Sequence, residues 1–160
     1  MLKRYEHDRS YIDCYYMDLP RAISIDEYVS AFYTTTLFKV ERCILALAAG
    51  RRSTDAGAQK LALGLVSDFA IWSVEDRAIH ELLLRDVLGR TRSWLMVKLS
   101  GTSDSISTRL YFGSAVMPKS RPTTGKASFG FAFHALYGFH HMYTKALMRA
   151  ARTKLLRATA

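Results

Sequence analysis

The segment from Phe129 to Arg157 constrains the fold most. Placed on a helical wheel at about 100° per residue, it separates into two faces. One face holds Phe129, Ala132, Phe133, Leu136, Phe139, Tyr143, Ala146, Leu147 and Ala150, and the other holds His134, His141, Lys145, Arg149 and Arg152. An apolar stripe this wide and this long needs a large apolar partner to cover it. The strand-like segments upstream are the partner the sequence offers.

Those segments begin early. Arg9 to Leu19 alternates loosely, is rich in Tyr, Ile and Cys, and reads as a first strand ended by Pro20. Ser24-Ile25-Asp26-Glu27 has the spacing of a capping box, in which Ser24 accepts from the Glu27 amide and Glu27 reaches back. The helix it starts carries Tyr28, Ala31, Phe32, Leu37, Val40, Ile44, Leu45 and Leu47, and should stop at Gly50. Thr34-Thr35-Thr36 lowers helix propensity and is expected to break it in two. Ser53-Thr54-Asp55 predicts another N-cap, for a short helix ending near Gly64.

Four further strands are predicted at 67–75, 79–87, 92–99 and 107–117. The first should place Asp68, Ala70, Trp72 and Val74 on one face and Phe69 and Ile71 on the other; the third sets Ser93, Leu95, Val97 and Leu99 against Trp94, Met96 and Lys98. The connections Glu75-Asp76-Arg77, Leu88-Gly89-Arg90-Thr91 and Gly101-Thr102-Ser103-Asp104-Ser105 are short and polar, which favours an antiparallel meander. A long loop is expected at 118–125. The sum is one α+β domain over residues 1–160, with a curved antiparallel sheet of five or more strands wrapped on a long C-terminal helix.

Composition narrows the class. Of 160 residues, 49% are apolar and 23% charged, which disfavours a disordered chain or a membrane span. Met1 to Asp8 lacks the apolar core of a secretory signal. Cys14 and Cys43 have no metal or redox spacing, and are expected to be reduced, buried thiols of a cytoplasmic protein. Residues 119–160 carry eight basic side chains and no acidic one, so nearly all of the net charge of +9 belongs to the C-terminal quarter. Such a charge either fits an acidic partner or simply solvates a helix end.

The order strand, helical segment, antiparallel strands and long C-terminal helix resembles that of the START-like superfamily, also called SRPBCC or helix-grip. Within it the chain is similar to a sparsely characterised branch, through Tyr11-Ile12-Asp13-Cys14-Tyr15, Glu81-Leu82-Leu83-Leu84, Thr108-Arg109-Leu110-Tyr111-Phe112 and the pair Phe139-His140. It departs at Thr34-Thr35-Thr36-Leu37-Phe38, where relatives tend to have Pro and Trp. The resemblance implies an apolar cavity between sheet and helix, serving binding of lipid, polyketide or hormone in some members and catalysis in others.

Walker, dinucleotide, Gly-x-Ser-x-Gly and Cys-x-x-Cys motifs are missing, which takes support from the common cofactor enzymes and leaves no cofactor implied. His134 and His141 lie two turns apart, about 10 Å, too far to share a metal, so no metal site is expected. The leading reading is a module that binds a small apolar or amphipathic molecule, with Trp72, Trp94, Tyr111, Phe133 and Tyr137 lining the site and His140 orienting the ligand. An alternative is a cofactor-free cyclase or dehydratase, with His140 as acid–base beside Glu81, Asp68 or a tyrosine hydroxyl, Tyr111 and His80 being nearby candidates. A second alternative is docking of the basic surface on an acidic protein, nucleic acid or anionic lipid, nucleic acid being disfavoured by the lack of a motif and of interleaved aromatics. If the wheel is phased correctly, Phe133→Ala costs about 3 kcal/mol or more and Lys145→Ala no more than about 0.5 kcal/mol, as read by denaturant unfolding.

Overall fold

The computed structural model describes residues 1–8, 10–102, 105–117 and 131–158. A 3-10 segment (Leu2–Asp8) leads into strand β1 (Tyr11–Leu19) and then helices α1 (Ile25–Tyr33), α2 (Thr36–Ala49) and α3 (Asp55–Ala62). Strands β2 (Asp68–Phe69), β3 (Trp72–Ala78), β4 (Glu81–Asp86), β5 (Thr91–Thr102) and β6 (Ser105–Val116) follow, and the chain ends in helix α4 (Phe131–Arg157). The strands form one antiparallel sheet in the order β1-β6-β5-β4-β3-β2. An antiparallel sheet and a C-terminal helix in an α+β chain are thus as the sequence predicts, with six strands where five were countable.

The helix boundaries follow local chemistry. Ser24 Oγ accepts from Glu27 N at 3.1 Å and Glu27 Oε2 accepts from Ser24 N at 2.9 Å, closing the capping box. At the threonine run the helix does break: Thr34 Oγ1 donates to the Ser30 carbonyl, and Thr35 Oγ1 accepts from Phe38 N as the cap of α2. Gly50 ends α2 with φ 64, a left-handed conformation that suits glycine. Thr54 caps α3 in turn.

The first predicted hairpin is placed differently. The run 67–75 is not one strand: it folds back at Ala70-Ile71, with Ala70 at φ 54, so that β2 and β3 pair Asp68 with Ser73 and Phe69 with Trp72. Phe69 and Trp72 then both serve the inner core. Glu75-Asp76-Arg77 is no turn but part of β3, with a bulge between Val74 and Asp76, and the reversal comes after Ala78. Its charges mimic a turn because each has a tertiary partner. Glu75 pairs with Arg92 at 2.7 Å, Asp76 with Arg4, and Arg77 Nη1 donates to the Ala62 carbonyl at 2.9 Å, capping α3. β5 and β6 likewise run to Thr102 and from Ser105, beyond the predicted ends. The loop expected at 118–125 lies outside the described residues.

Two cores flank the sheet. The inner one packs Leu19, Leu82, Leu84, Leu95, Val97, Leu110 and Phe112 against Tyr28, Phe32 and Tyr33 of α1, Phe38 of α2, Leu61 of α3 and Leu147, Met148, Ala151 and Leu155 of α4. The outer, smaller one sets Leu2 and Tyr5 on Leu83, Trp94 and Ala115. In α4 the buried residues Thr144, Leu147, Met148, Ala151 and Leu155 have the predicted period, but their centre is turned by about one residue, or 100°. Ala146 is exposed, while His141 is half-buried with its ring edge-on to Tyr15 at 5.1 Å, and Arg152 donates Nε to the Asp18 carbonyl at 3.0 Å. Alanines fix a wheel weakly, because they cost little on either side, and that is where the phase slipped. Lys145 and Arg149 do face solvent. The side chains of 131–140, Phe133, His134 and Leu136 among them, lie outside the described residues.

Two other expectations are corrected. Cys14 and Cys43 are both exposed, since Cys14 takes an outward strand position and Cys43 the outer side of α2. Val40, Ile44 and Leu47 are exposed too, because the core side of α2 is taken by Phe38.

Gly113 is held by space, not by backbone angle. A Cβ there would lie 2.7 Å from a Leu2 methyl, 2.9 Å from the Asp13 carbonyl oxygen and 3.1 Å from the Trp94 ring. Gly113→Ala should therefore cost about 1–3 kcal/mol, seen as a lower urea midpoint with an unchanged slope.

Candidate functional site

Alternation along the strands decides which side chains can meet. Leu95, Val97, Leu110 and Phe112 face inward, so Trp94, Met96 and Tyr111 must face outward. Trp94 lies under Leu2 and Tyr5, its indole N–H donating to Glu81 Oε2 at 2.9 Å, and Tyr111 sits beside it with ring centroids 6.2 Å apart. Trp72 packs against the inner core. The sheet itself thus separates Trp72 from Trp94 and Tyr111, and these three do not line one site. The side chains of Phe133, Tyr137 and His140 lie outside the described residues. Glu81 belongs to the outer face, Asp68 to the far edge where it accepts from Ser73 Oγ at 2.5 Å, and His80 to the exposed turn after Ala78. None of these three is brought to the inner face where α4 packs.

What the inner face does gather is a row of polar groups at the Tyr11 end of β1. The register aligns Asp13 with Ser114 and Ser114 with Ser93. Asp13 Oδ1 accepts from Ser114 Oγ at 2.6 Å and from Ser114 N at 3.0 Å, while the Tyr11 hydroxyl approaches Oδ2 at 3.5 Å. Ser93 Oγ shares a hydrogen bond of 3.3 Å with the Tyr33 hydroxyl, which comes down from the last turn of α1. The sequence places Ser93 on the face of Leu95 and Val97. A polar break in an apolar face was the legible sign of this row, whereas Asp13, Ser114, Tyr28 and Tyr33 carried no local signal of it.

Two further polar groups have no partner. The Tyr28 hydroxyl is wholly buried and the Trp72 indole N–H is buried, yet neither hydrogen bonds within the described residues. Burial raises the Tyr28 phenol well above its ordinary range, with the neighbouring Tyr33 adding to it; burial also raises Tyr33, against the opposing bond from Ser93. Both hydroxyls remain neutral donors at physiological pH. The row therefore offers hydroxyls and one carboxylate at the end of an apolar, aromatic layer, a set suited to fixing the polar end of an apolar molecule.

At the opposite edge, the turn after β4 borders a groove of about 650 Å³ lined by Arg51, Asp68, Ser73, Arg85, Asp86 and Leu88 among others. It is open and polar. Its Asp86 is engaged by its own turn, accepting from Arg90 N and from Thr91 Oγ1, both at 2.8 Å. It is distinct from the cavity expected between sheet and C-terminal helix. Among the described residues, no three His, Cys, Asp or Glu side chains gather as a metal site requires, and no helix is long and apolar enough to cross a membrane.

No protein-family model matches the chain, and comparison with curated proteins gives no match either.

The raised tyrosines give a pH test. A phenol whose folded pKa is raised contributes stability that is complete below the ordinary value of about 10 and is lost as pH rises above it. In an alkaline titration of tyrosinate absorbance, Tyr28→Phe and Tyr33→Phe should leave the native-state amplitude near pH 10 unchanged, because neither phenol ionises there. A smaller amplitude in either variant would mean that water reaches the layer.

Proposed function

We propose that the chain is a binding module for a small amphipathic molecule, held between the inner face of the sheet and the helices. The polar end of the molecule meets Asp13, Ser93 and Tyr33, and its apolar body lies along the aromatic layer. The observation that carries the reading is the Tyr28 hydroxyl, wholly buried in the aromatic layer with no partner among the described residues. An unpaired buried hydroxyl costs about 1–3 kcal/mol, a penalty that phenylalanine would avoid, and such groups usually have a ligand or an ordered water to satisfy them. The resemblance of element order and motifs to the helix-grip superfamily supports the same reading, and there His140 and the neighbouring aromatics of α4 would complete the wall. Of the groups the catalytic alternative calls on, Glu81 and Asp68 lie away from α4, which leaves it a tyrosine hydroxyl alone.

Native mass spectrometry of the freshly purified chain, joined to a fluorescence titration with anilinonaphthalene sulfonate, tests this. A discrete bound mass, or saturable dye binding that raises the unfolding temperature, is the expected result. Tyr28→Phe should weaken binding about tenfold while leaving stability unchanged or higher, as expected for a hydroxyl serving a ligand. A bare mass with no saturable dye binding overturns the proposal.

A further inference from the structure

We propose that the outer surface of the α2–α4 pair docks on an anionic lipid bilayer, because it combines an aliphatic stripe with unpaired cations. On α2, Val40, Cys43, Ile44 and Leu47 recur at the spacing that lines one side of a helix. That spacing is normally what a helix buries. Here Val40 is 55%, Ile44 60% and Leu47 89% exposed, and Cys43 is exposed with them. Phe38, on the other side of α2, fills the core at 3% exposure, so the stripe is not a disguised inner face.

Among the described residues, the exposed charge beside the stripe that has no ion-pair partner is basic. Arg51 and Arg52 follow Gly50 directly at the end of the stripe and are exposed, and Arg149 is exposed on the outward side of α4. None of the three has an ion-pair partner among the described residues. The two helices adjoin, with the Tyr143 hydroxyl donating to Glu41 and Lys154 Nζ to the Thr34 carbonyl at 3.0 Å. Met142, one residue from that contact, is 72% exposed and extends the apolar area. The nearby acidic groups are occupied: Glu41 by Tyr143, and Asp55 by Lys39 and Arg42.

This chemistry fits the interface of an anionic bilayer. Aliphatic side chains enter the boundary of the acyl chains while guanidinium and ammonium groups meet phosphate, each making the other's contribution larger. A second copy packed symmetrically on this face would set these cations against their own copies, a repulsion between like charges. Single-stranded nucleic acid calls for aromatic platforms, and this stripe is aliphatic. Attachment is peripheral, since no described helix can span a membrane. It is independent of any ligand held on the inner face.

Flotation of the full chain with vesicles of phosphatidylcholine, alone or with about one-third phosphatidylglycerol, is the experiment. The expected result is retention on anionic vesicles at least about tenfold above neutral ones, falling as salt is raised. The double variants Ile44→Ser/Leu47→Ser and Arg51→Glu/Arg52→Glu should each reduce retention about tenfold, with unchanged unfolding temperatures because all four side chains are exposed. A polarity-sensitive dye on Cys43, in a Cys14→Ser background, should shift to the blue on anionic vesicles alone. Equal retention on both vesicle types, or full retention by both variants, overturns the proposal. So does a wild-type dimer, by light scattering, that Ile44→Ser/Leu47→Ser converts to monomer, since the stripe would then be a self-interface.

Discussion

The arrangement depends on one aromatic contact between layers. Phe32 of α1 stacks on Phe112 of β6, with ring centroids 4.9 Å apart and planes at 16°, and both rings are buried. Phe32 also meets Tyr33 at 5.3 Å and Tyr28 at 6.0 Å in edge-on geometry. Tyr33 carries the contact on to Phe38 at 4.8 Å and Phe69 at 5.5 Å. Such pairs contribute about 0.5–1.5 kcal/mol each beyond the area they bury. Through them α1 fixes α2, the β2–β3 hairpin and the centre of the sheet relative to one another. The break at Thr34-Thr35 is what lets α1 end there and α2 turn away with Phe38 still pointing into the same cluster.

Polar contacts then tie the periphery to that centre. Arg21 links Glu27 at 3.1 Å to the Leu155 carbonyl at 3.2 Å, joining the start of α1 to the end of α4. Lys154 caps the carbonyl of Thr34, and partial burial lowers its pKa. Asp55 gathers Lys39 and Arg42, whose hydrogen bonds hold its carboxyl below the usual range. Arg109 grips Asp18 through two bonds of 2.7 and 3.0 Å while its guanidinium lies 4.4 Å from the Tyr16 ring. These exposed pairs add little stability singly. Their effect is on geometry, because each crosses between elements that apolar packing alone would leave free to slide.

The inner and outer faces of the sheet have different chemistry. Outside, the 3-10 segment lays Leu2 and Tyr5 over Trp94, and the charges there are paired: Arg92 stands between Glu75 and the Tyr5 ring, and Glu81 receives the Trp94 indole. Inside, an aromatic layer ends in the Asp13–Ser114–Ser93–Tyr33 row and contains a phenol with no partner among the described residues. A buried polar group without a partner is unfavourable for stability alone, which marks the inner face as the one with chemistry to spare.

Much of the fold was legible in the sequence. The capping box at Ser24, the break at the threonines, the stop at Gly50, β1 and the long last helix follow from chemistry that acts within a few residues, and those local rules were sufficient. They failed where a distant partner changed the meaning of a residue. Glu75-Asp76-Arg77 reads as a turn until Arg92, Arg4 and the end of α3 are brought to it. Trp94 and Tyr111 read as pocket aromatics until the register of β5 and β6 turns them to the outer face. Val40, Ile44 and Leu47 read as core until Phe38 takes that side. The sequence by itself determined which segments are helix or strand and where most of them stop. Only the tertiary structure decided which faces meet, because facing is settled by competition among all apolar surfaces at once, and no window of the chain contains its competitors.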